Sequence, residues 1–260
     1  MMNLSNLVSL CRQPKRTENY IILDWDDTLH PTTYLDNCHV TKDIFDSDDT
    51  SWLQIKNEKD QADLQVFDTC LKEFMEIIFD LTPHVFIVTN SIIPWLEKTG
   101  QCRLPKSYPY IIKAVIISAR ENYGLFMPNE PMLWKKWTFY DLFPVEDSVI
   151  KKNIICIGDS LDEKVAITDV ARDIRNCILK TFKMKDRPTL IELIEQIKLL
   201  SDKVPSVMDW GKGAHLMLVK NDCVEYITDE QLQEESEKEW PQIEQELLKI
   251  RCVEDLAITT

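Results

Sequence analysis

Two aspartates, Asp24 and Asp26, come directly after a short apolar run near the start of the chain. Side chains two positions apart in an extended segment point to the same face, so these carboxylates would lie close together. A third acidic residue, Asp159, follows a later apolar run in the same way. Because like charges held close together cost free energy unless a cation offsets them, the three aspartates predict a metal site. Their oxygens are ligands that Mg²⁺ prefers.

Hydroxyl, amide and ammonium groups that suit phosphate chemistry accompany these carboxylates. Thr28 lies just after the aspartate pair, Thr89 and Asn90 follow another apolar run, and Lys135 and Lys136 lie further along. A phosphoryl group needs charge neutralisation and hydrogen bonds to its oxygens, which lysine and threonine side chains supply. Each residue taken alone has a commoner role as a turn former, a helix cap or a surface residue. The prediction therefore depends on the whole set.

Four short apolar runs, at positions 20–23, 85–88, 114–117 and 154–157, are the elements that would position these residues. Each run is apolar throughout rather than alternating, which is typical of strands buried on both faces of a parallel sheet. In open α/β sheets, ligands bind beyond the carboxyl ends of the strands. Three of the four runs end at the candidate residues, so the sheet would gather them at one edge.

Helical patterns lie between the predicted strands. Apolar residues recur at spacings of three and four between positions 60 and 81, which predicts an amphipathic helix. The same pattern runs on from Leu190, where Thr189 and Glu192 have the spacing of a capping box. Strands that alternate with helices predict an α/β fold with a doubly wound, mainly parallel sheet.

The 260 residues suit one large domain or one domain with an appendage. We expect an N-terminal extension over 1–17 and a catalytic core over 18–203, with a small polar flap or loop insert at 30–60. A C-terminal extension would cover 204–260. Its strongly acidic part, 229–246, is either a solvated helix, a disordered segment or a surface for a basic partner.

Charge and composition exclude several classes of protein. The formal net charge is −14, which argues against a nucleic-acid partner, since such a surface needs clustered Lys and Arg. The sequence contains no run of about 18 apolar residues, so it predicts no membrane span. The N-terminal apolar run is too short for a secretory signal. The eight cysteines include no CxxC pair, which favours reduced thiols. We expect a cytoplasmic protein, with the nucleus as the alternative, and find no signal for an oligomeric state.

The order of these motifs resembles a known family. DWDDTL, VFIVTNS, a downstream lysine and IICIGDSLDE resemble the four motifs of the haloacid dehalogenase-like (HAD) superfamily, over roughly residues 20 to 200. The DxDxT pattern after a buried strand is the specific part of this resemblance. More narrowly, ILDWDDTL, VIISAR, a Trp-Lys pair and RPTLIEL are similar to the DWDDT group of that superfamily in protists and plants.

The resemblance implies a phosphatase of the aspartate-nucleophile branch. Asp24 would attack phosphorus and form an aspartyl-phosphate. Asp26 would protonate the leaving oxygen and then activate water, as a two-step transfer needs. Thr28 would steady the loop and contribute to substrate binding. Thr89 would hydrogen-bond the phosphoryl group, helped by Asn90.

The resemblance also implies a Mg²⁺ site with a lysine beside it. The implied metal ligands are Asp24, the backbone carbonyl of Asp26, and Asp159. Either Asp162 or Glu163 would orient this shell, and the spacing alone does not choose between them. Lys135 would neutralise the nucleophile and the phosphate, with Lys136 as the alternative. Two departures from the family pattern are Asp27, where many members carry glycine, and the bulky Trp25.

The substrate and two competing functions stay open at this stage. Little chain is left for a cap between 91 and 135, so we expect an open site. In this superfamily, open sites often act on macromolecules, which favours a phosphoprotein over a small phosphate ester. One alternative is a catalytically weak or inactive phosphate-binding or interaction protein. A receiver domain fits less well, because here the lysine precedes the last aspartate of the set.

Overall fold

A single sheet of seven strands forms the centre of the described structure. The computed structural model describes residues 17–35, 53, 55, 57–144, 150–218 and, for the backbone only, 224–226. The strands are β1 Thr17–Leu23, β2 Val85–Thr89, β3 Val115–Ser118, β4 Lys151–Gly158, β5 Cys177–Lys183, β6 Ala214–Leu218 and β7 Val224–Tyr226. Their order is β3-β2-β1-β4-β5-β6-β7, and β1 to β6 all run parallel.

The register of the three central strands brings their carboxyl ends to the same level. Leu23 at the end of β1 pairs with Ile87 of β2 on one side and with Ile157 of β4 on the other. The chain therefore leaves all three strands at one edge of the sheet. Asp24 directly follows β1 at this edge, and Asp159 directly follows β4.

Helices connect the strands and cover the sheet. They are α1 Thr32–Leu35, α2 Glu58–Leu81, α3 Ile93–Arg103, α4 Tyr108–Ile111, α5 Ala119–Tyr123, α6 Pro131–Leu142, α7 Leu161–Asp173 and α8 Leu190–Met208. α2 packs against α8, and α6 packs against α5 and α7. Ile21 and Leu23 of β1 join the core formed with α2 and α8. Ile22 between them is also buried but lies outside that core, as a sheet covered on both faces requires.

The secondary structure confirms the elements with the strongest local signals. The four apolar runs form β1 to β4, and the helix predicted over 60–81 is α2. Thr189 and Glu192 form the predicted capping box at the start of α8. β3 is less buried than its apolar run predicts, because it lies at the edge of the sheet. Its Val115 is 54% exposed.

The sheet continues past residue 203, where the sequence analysis ends the core. α8 runs to Met208 with Pro205 inside it, and β6 then pairs with β5. β5 lacks a four-residue apolar run like those of β1 to β4, and β6 contains only the short run Leu216–Leu218, in a segment to which the sequence analysis assigns no element. The second half of β5 includes Lys180, which is fully buried and donates to Asn153 at 2.6 Å.

Several predicted segments lie outside the described residues. These are the N-terminal extension up to position 16, most of the flap expected at 30–60, and the acidic stretch 229–246. The chain divides into two units, Met1–Glu225 and Tyr226–Thr260, and all the helices named above belong to the first.

None of the helices in the described ranges is long and apolar enough to cross a lipid bilayer. The cysteines in these ranges, Cys70, Cys102, Cys156 and Cys177, are free thiols, in line with the reduced state expected from the sequence. Cys102 is exposed, because it lies on the outer side of α3.

The capping box of α8 gives a direct test of how this helix is anchored. Thr189→Ala removes the hydroxyl that accepts the Glu192 N–H, so we expect the free energy of unfolding to fall by about 1 kcal/mol. Thr189→Ser keeps the hydroxyl and serves as the control. Urea denaturation measures both, and equal midpoints for Thr189→Ala and the parent chain would contradict the prediction.

Candidate active site

A tight turn carries the chain away from the sheet directly after β1. The N–H of Asp24 donates to the Ile157 carbonyl at 3.0 Å and so extends the pairing of β1 with β4 by one residue. The Trp25 carbonyl then accepts the N–H groups of residues 28–30. This turn holds the Asp24 side chain at the carboxyl edge of the sheet.

The two departures from the HAD pattern both have structural roles in this turn. Asp27 has a φ of 54°, a conformation that favours glycine but that aspartate tolerates better than most residues. Its carboxylate accepts hydrogen bonds from the N–H and the hydroxyl of Thr33. Trp25 is fully buried and stacks on the His30 ring, with 5.5 Å between ring centroids. Trp25 therefore has a packing role in this turn.

Lys135 on α6 lies between two carboxylates at this edge. Its Nζ is 2.8 Å from Oδ1 of Asp24 and also forms a short ion pair with Oε1 of Glu163. The side chains of Lys135 and Asp24 are only 2% and 7% exposed, so water screens this pair little. Lys136 instead pairs with Asp169 of α7 at 3.1 Å. The structure thus brings Lys135, and not Lys136, to Asp24.

The start of α7 decides between Asp162 and Glu163. Ser160 caps the helix by accepting the Asp162 N–H at 2.9 Å, while Oε2 of Glu163 accepts the Ser160 N–H at 3.0 Å. This capping box leaves Oε1 of Glu163 facing Lys135. Asp162 is exposed. Glu163 is therefore the residue that joins the buried cluster.

Three acidic side chains meet here in a geometry that suits a cation. Asp24, Asp159 and Glu163 each offer an oxygen, and these atoms lie within 4.8 Å of one another. Lys135 forms ion pairs with both Asp24 and Glu163, and the charge of Lys183 acts on Asp159. Three carboxylates against these two ammonium groups still leave an excess of negative charge, which a divalent cation would offset.

The pKa values of the cluster reflect this crowding. Burial raises the pKa of Asp24 well above its ordinary value, and the neighbouring carboxylates of Glu163 and Asp159 add to the rise despite the opposing ammonium of Lys135. Burial, with the charge of Glu163, raises the pKa of Asp159 to about 7. Burial alone would lower the pKa of Lys135, but Asp24 and Glu163 outweigh it and raise that pKa. The lysine therefore stays charged.

Asp26 occupies a different environment, in which hydroxyl groups surround its carboxylate. Oδ1 accepts the Thr32 hydroxyl at 2.7 Å. Oδ2 accepts the hydroxyls of Ser91 at 2.6 Å and Thr89 at 3.3 Å. Thr89 lies near the aspartate pair, as predicted, and its hydroxyl contacts Asp26.

Thr28 and Asn90 both make contacts within the protein. Thr28 is fully buried, its N–H donates to the Trp25 carbonyl, and its hydroxyl has no hydrogen-bond partner among the described residues. The Asn90 amide donates to the Pro131 carbonyl at 3.2 Å and so ties the end of β2 to the start of α6. Their predicted roles in substrate binding stay predictions.

Ser91 and Lys183 are two residues at this edge to which the sequence analysis assigns no role. Ser91 had a visible signal, because three consecutive polar residues, 89–91, end a buried strand. Lys183 had none, because it lies in a strand without an unbroken apolar run. Its Nζ donates to the carbonyls of Asp159 and Met184, which fixes the loop that carries Asp159 to the end of β5.

No family model, curated protein or solved structure matches this chain. The chemistry of the site is therefore inferred from its own side chains. The predicted residues that the structure gathers at the carboxyl edge are Asp24, Asp26, Thr89, Lys135, Asp159 and Glu163.

The raised pKa of Asp159 predicts a dependence of stability on pH and metal. With its pKa near 7 in the folded chain and near 3.8 unfolded, Asp159 holds its proton more tightly when folded. The metal-free protein should therefore lose stability as the pH rises from about 4 through about 7. Mg²⁺ competes with this proton, so it should raise the melting temperature more at pH ~8 than at pH ~5.5.

Thermal unfolding in chelator and in Mg²⁺ measures both effects. Asp159→Asn is the matched variant, since it removes the titrating group and one candidate ligand together. An equal rise in melting temperature with Mg²⁺ in the parent chain and in Asp159→Asn would contradict the prediction.

Proposed function

We propose that this chain is a Mg²⁺-dependent phosphatase of the HAD type, which hydrolyses a phosphate monoester through an aspartyl-phosphate on Asp24. The observation that carries the proposal is the meeting of Asp24, Lys135, Asp159 and Glu163 at the carboxyl edge of a parallel sheet, with Asp26 on the same turn as Asp24. A buried lysine against a buried aspartate suits a nucleophile that must approach an anionic group.

Asp24 would be the nucleophile. One of its oxygens forms a bond to phosphorus while the bond from phosphorus to the leaving oxygen breaks. Lys135, at 2.8 Å from Oδ1, offsets the charge of both the carboxylate and the incoming phosphoryl group. Because both side chains are nearly inaccessible to water, this charge pairing is stronger than it would be at the surface.

Asp26 would handle the protons in both steps. In the first step, its carboxyl proton passes to the leaving oxygen, so that the product departs as an alcohol. In the second step, the carboxylate takes a proton from water, whose oxygen attacks phosphorus and releases Asp24. The hydroxyls of Ser91 and Thr89 hold the Asp26 carboxyl in place for these transfers.

The acidic cluster would hold the metal through Asp24, Asp159 and the backbone carbonyl of Asp26, and Glu163 would orient the shell while it binds Lys135. When bound, Mg²⁺ supplies positive charge that offsets the carboxylates and the phosphoryl oxygens. Asp159 is kept in place by the Lys183 contact with its carbonyl and by the register of β4 with β1.

We propose a phosphoprotein as the substrate, with a small phosphate ester as the alternative. The chain between 91 and 135 is taken up by β3, which belongs to the sheet, and by α3, α4, α5 and the start of α6, which are helices around it. That leaves no separate cap in this segment. A phosphorylated side chain on a larger molecule needs an approach to the site that no cap covers.

Replacement of the nucleophile tests the proposed chemistry. With an aryl phosphate and Mg²⁺, we expect Asp24→Asn to lower kcat by at least ~1,000-fold, because an amide does not form the acyl phosphate. Asp162→Asn is the matched control, since this neighbouring acidic residue is exposed and lies outside the cluster. It should keep kcat within about twofold of the parent chain.

Two results would contradict the proposal. One is the absence of turnover by the folded parent chain with aryl phosphate in Mg²⁺, Mn²⁺ and Co²⁺. The other is turnover by Asp24→Asn at the rate of the parent chain. Circular dichroism of both variants shows whether each is folded.

A further inference from the structure

A series of hydrogen bonds runs from α3 to the Asp26 carboxylate. Nη1 of Arg103 lies 3.3 Å from Nε2 of His30, and Nδ1 of His30 lies 2.8 Å from the Thr32 hydroxyl oxygen. That hydroxyl lies 2.7 Å from Oδ1 of Asp26. Arg103 and His30 are 6% and 0% exposed, so their end of the series is almost closed to water, whereas Thr32 and Asp26 are partly exposed.

The arginine sets the direction of every hydrogen in this series. A guanidinium group only donates, so Nε2 of His30 must accept, and the ring proton must lie on Nδ1. Nδ1–H then donates to the Thr32 oxygen, which leaves the Thr32 hydroxyl hydrogen for Asp26. Burial and the charge of Arg103 both lower the pKa of His30 well below its ordinary value, which agrees with a neutral ring.

Packing holds the His30 ring in the plane that this series needs. The indole of Trp25 stacks on it at 11° between the two ring planes. At the end of the hydrogen-bond series farthest from Asp26, Nε of Arg103 donates to the Leu53 carbonyl at 3.2 Å. The His30 ring and the Arg103 guanidinium are therefore each held by a second contact, with the Trp25 indole and the Leu53 carbonyl respectively.

The hydrogen bonds that the described residues make to Asp26 leave one lone-pair direction of its carboxylate open. A carboxylate has about four such directions, two on each oxygen. Ser91 and Thr89 take both on Oδ2, and Thr32 takes one on Oδ1. The remaining direction belongs to Oδ1, the oxygen that Thr32 orients.

We propose that His30 and Thr32 are positioning residues that aim Oδ1 of Asp26 as the proton-carrying oxygen of the reaction. The inference rests on the proposed phosphatase function. Thr32 holds Oδ1 in place, and its donated hydrogen bond stabilises the negative charge that develops there when the proton leaves. His30 and Arg103 keep the Thr32 hydroxyl from turning away, because its oxygen already accepts a hydrogen bond.

The dependence of rate on the leaving group separates this role from a purely structural one. A good leaving group such as an aryl phenolate departs without a proton, whereas an alkyl alkoxide needs one. The value of kcat/KM reports the step in which the leaving group departs, and it is compared for an aryl and an alkyl phosphate. Loss of proton positioning should slow the alkyl substrate more than the aryl substrate.

Three variants carry the test. Thr32→Val removes the hydroxyl at nearly constant shape, and we expect the alkyl-to-aryl ratio of kcat/KM to fall by roughly tenfold. Thr32→Ser keeps the hydroxyl and should restore the ratio of the parent chain. Thr33→Val is the matched control, because it removes the neighbouring hydroxyl, which contacts Asp27 instead, and it should leave the ratio unchanged.

An unchanged ratio in folded Thr32→Val, or an equal fall for both substrates, would overturn the proposal. The state of His30 gives a second measurement that needs no turnover. Nitrogen NMR of the full chain, with the His30 signals assigned by comparison with His30→Asn, should show a neutral ring protonated on Nδ1. A proton on Nε2 would overturn the proposed direction of the hydrogen bonds from Arg103 to Asp26. No turnover by the parent chain, together with the expected ring state, would instead overturn the phosphatase function and, with it, the role in proton transfer.

Discussion

One buried ammonium group between two buried carboxylates is the constraint on which the site depends. Lys135 lies against Asp24 and Glu163 in a region that water hardly reaches, and Asp159 adds a third acidic group nearby. Removal of one partner from such a cluster leaves an uncompensated buried charge, which is far more costly than an exposed one. We propose that a bound divalent cation offsets the excess negative charge of this cluster.

The sheet assigns different environments to two aspartates only two positions apart. Asp24 stays at the end of β1, within reach of the lysine and the acidic cluster, because its N–H still pairs with β4. Asp26 lies within the turn, where the hydroxyls of Thr32, Thr89 and Ser91 surround it. Charge pairing suits a nucleophile, and orientation by hydroxyl groups suits a residue that gives and takes protons. The proposed division of labour follows from this difference.

Sequence predicts those features whose signal is local. Apolar runs mark β1 to β4, and the spacing of Thr189 to its partner marks the start of α8, because both signals act within a few residues. The choice between Lys135 and Lys136 depends on how α6 is rotated against the sheet, which its neighbours decide. Ser91 contacts Asp26 from a different element, and the orientation of His30 depends on Arg103 of α3. No spacing in the sequence encodes either contact.

We propose that Asp24 and Asp159 share a cation beside a nucleophilic oxygen. A crystal structure of the full chain with Mg²⁺ and trifluoroberyllate, a mimic of an acyl phosphate, tests it most directly. We expect beryllium bonded to an Asp24 oxygen, with Mg²⁺ held by Asp24 and Asp159 and with Lys135 against the fluorides. Beryllium absent from Asp24, or Mg²⁺ bound away from both aspartates, would contradict a shared cation beside a nucleophilic Asp24.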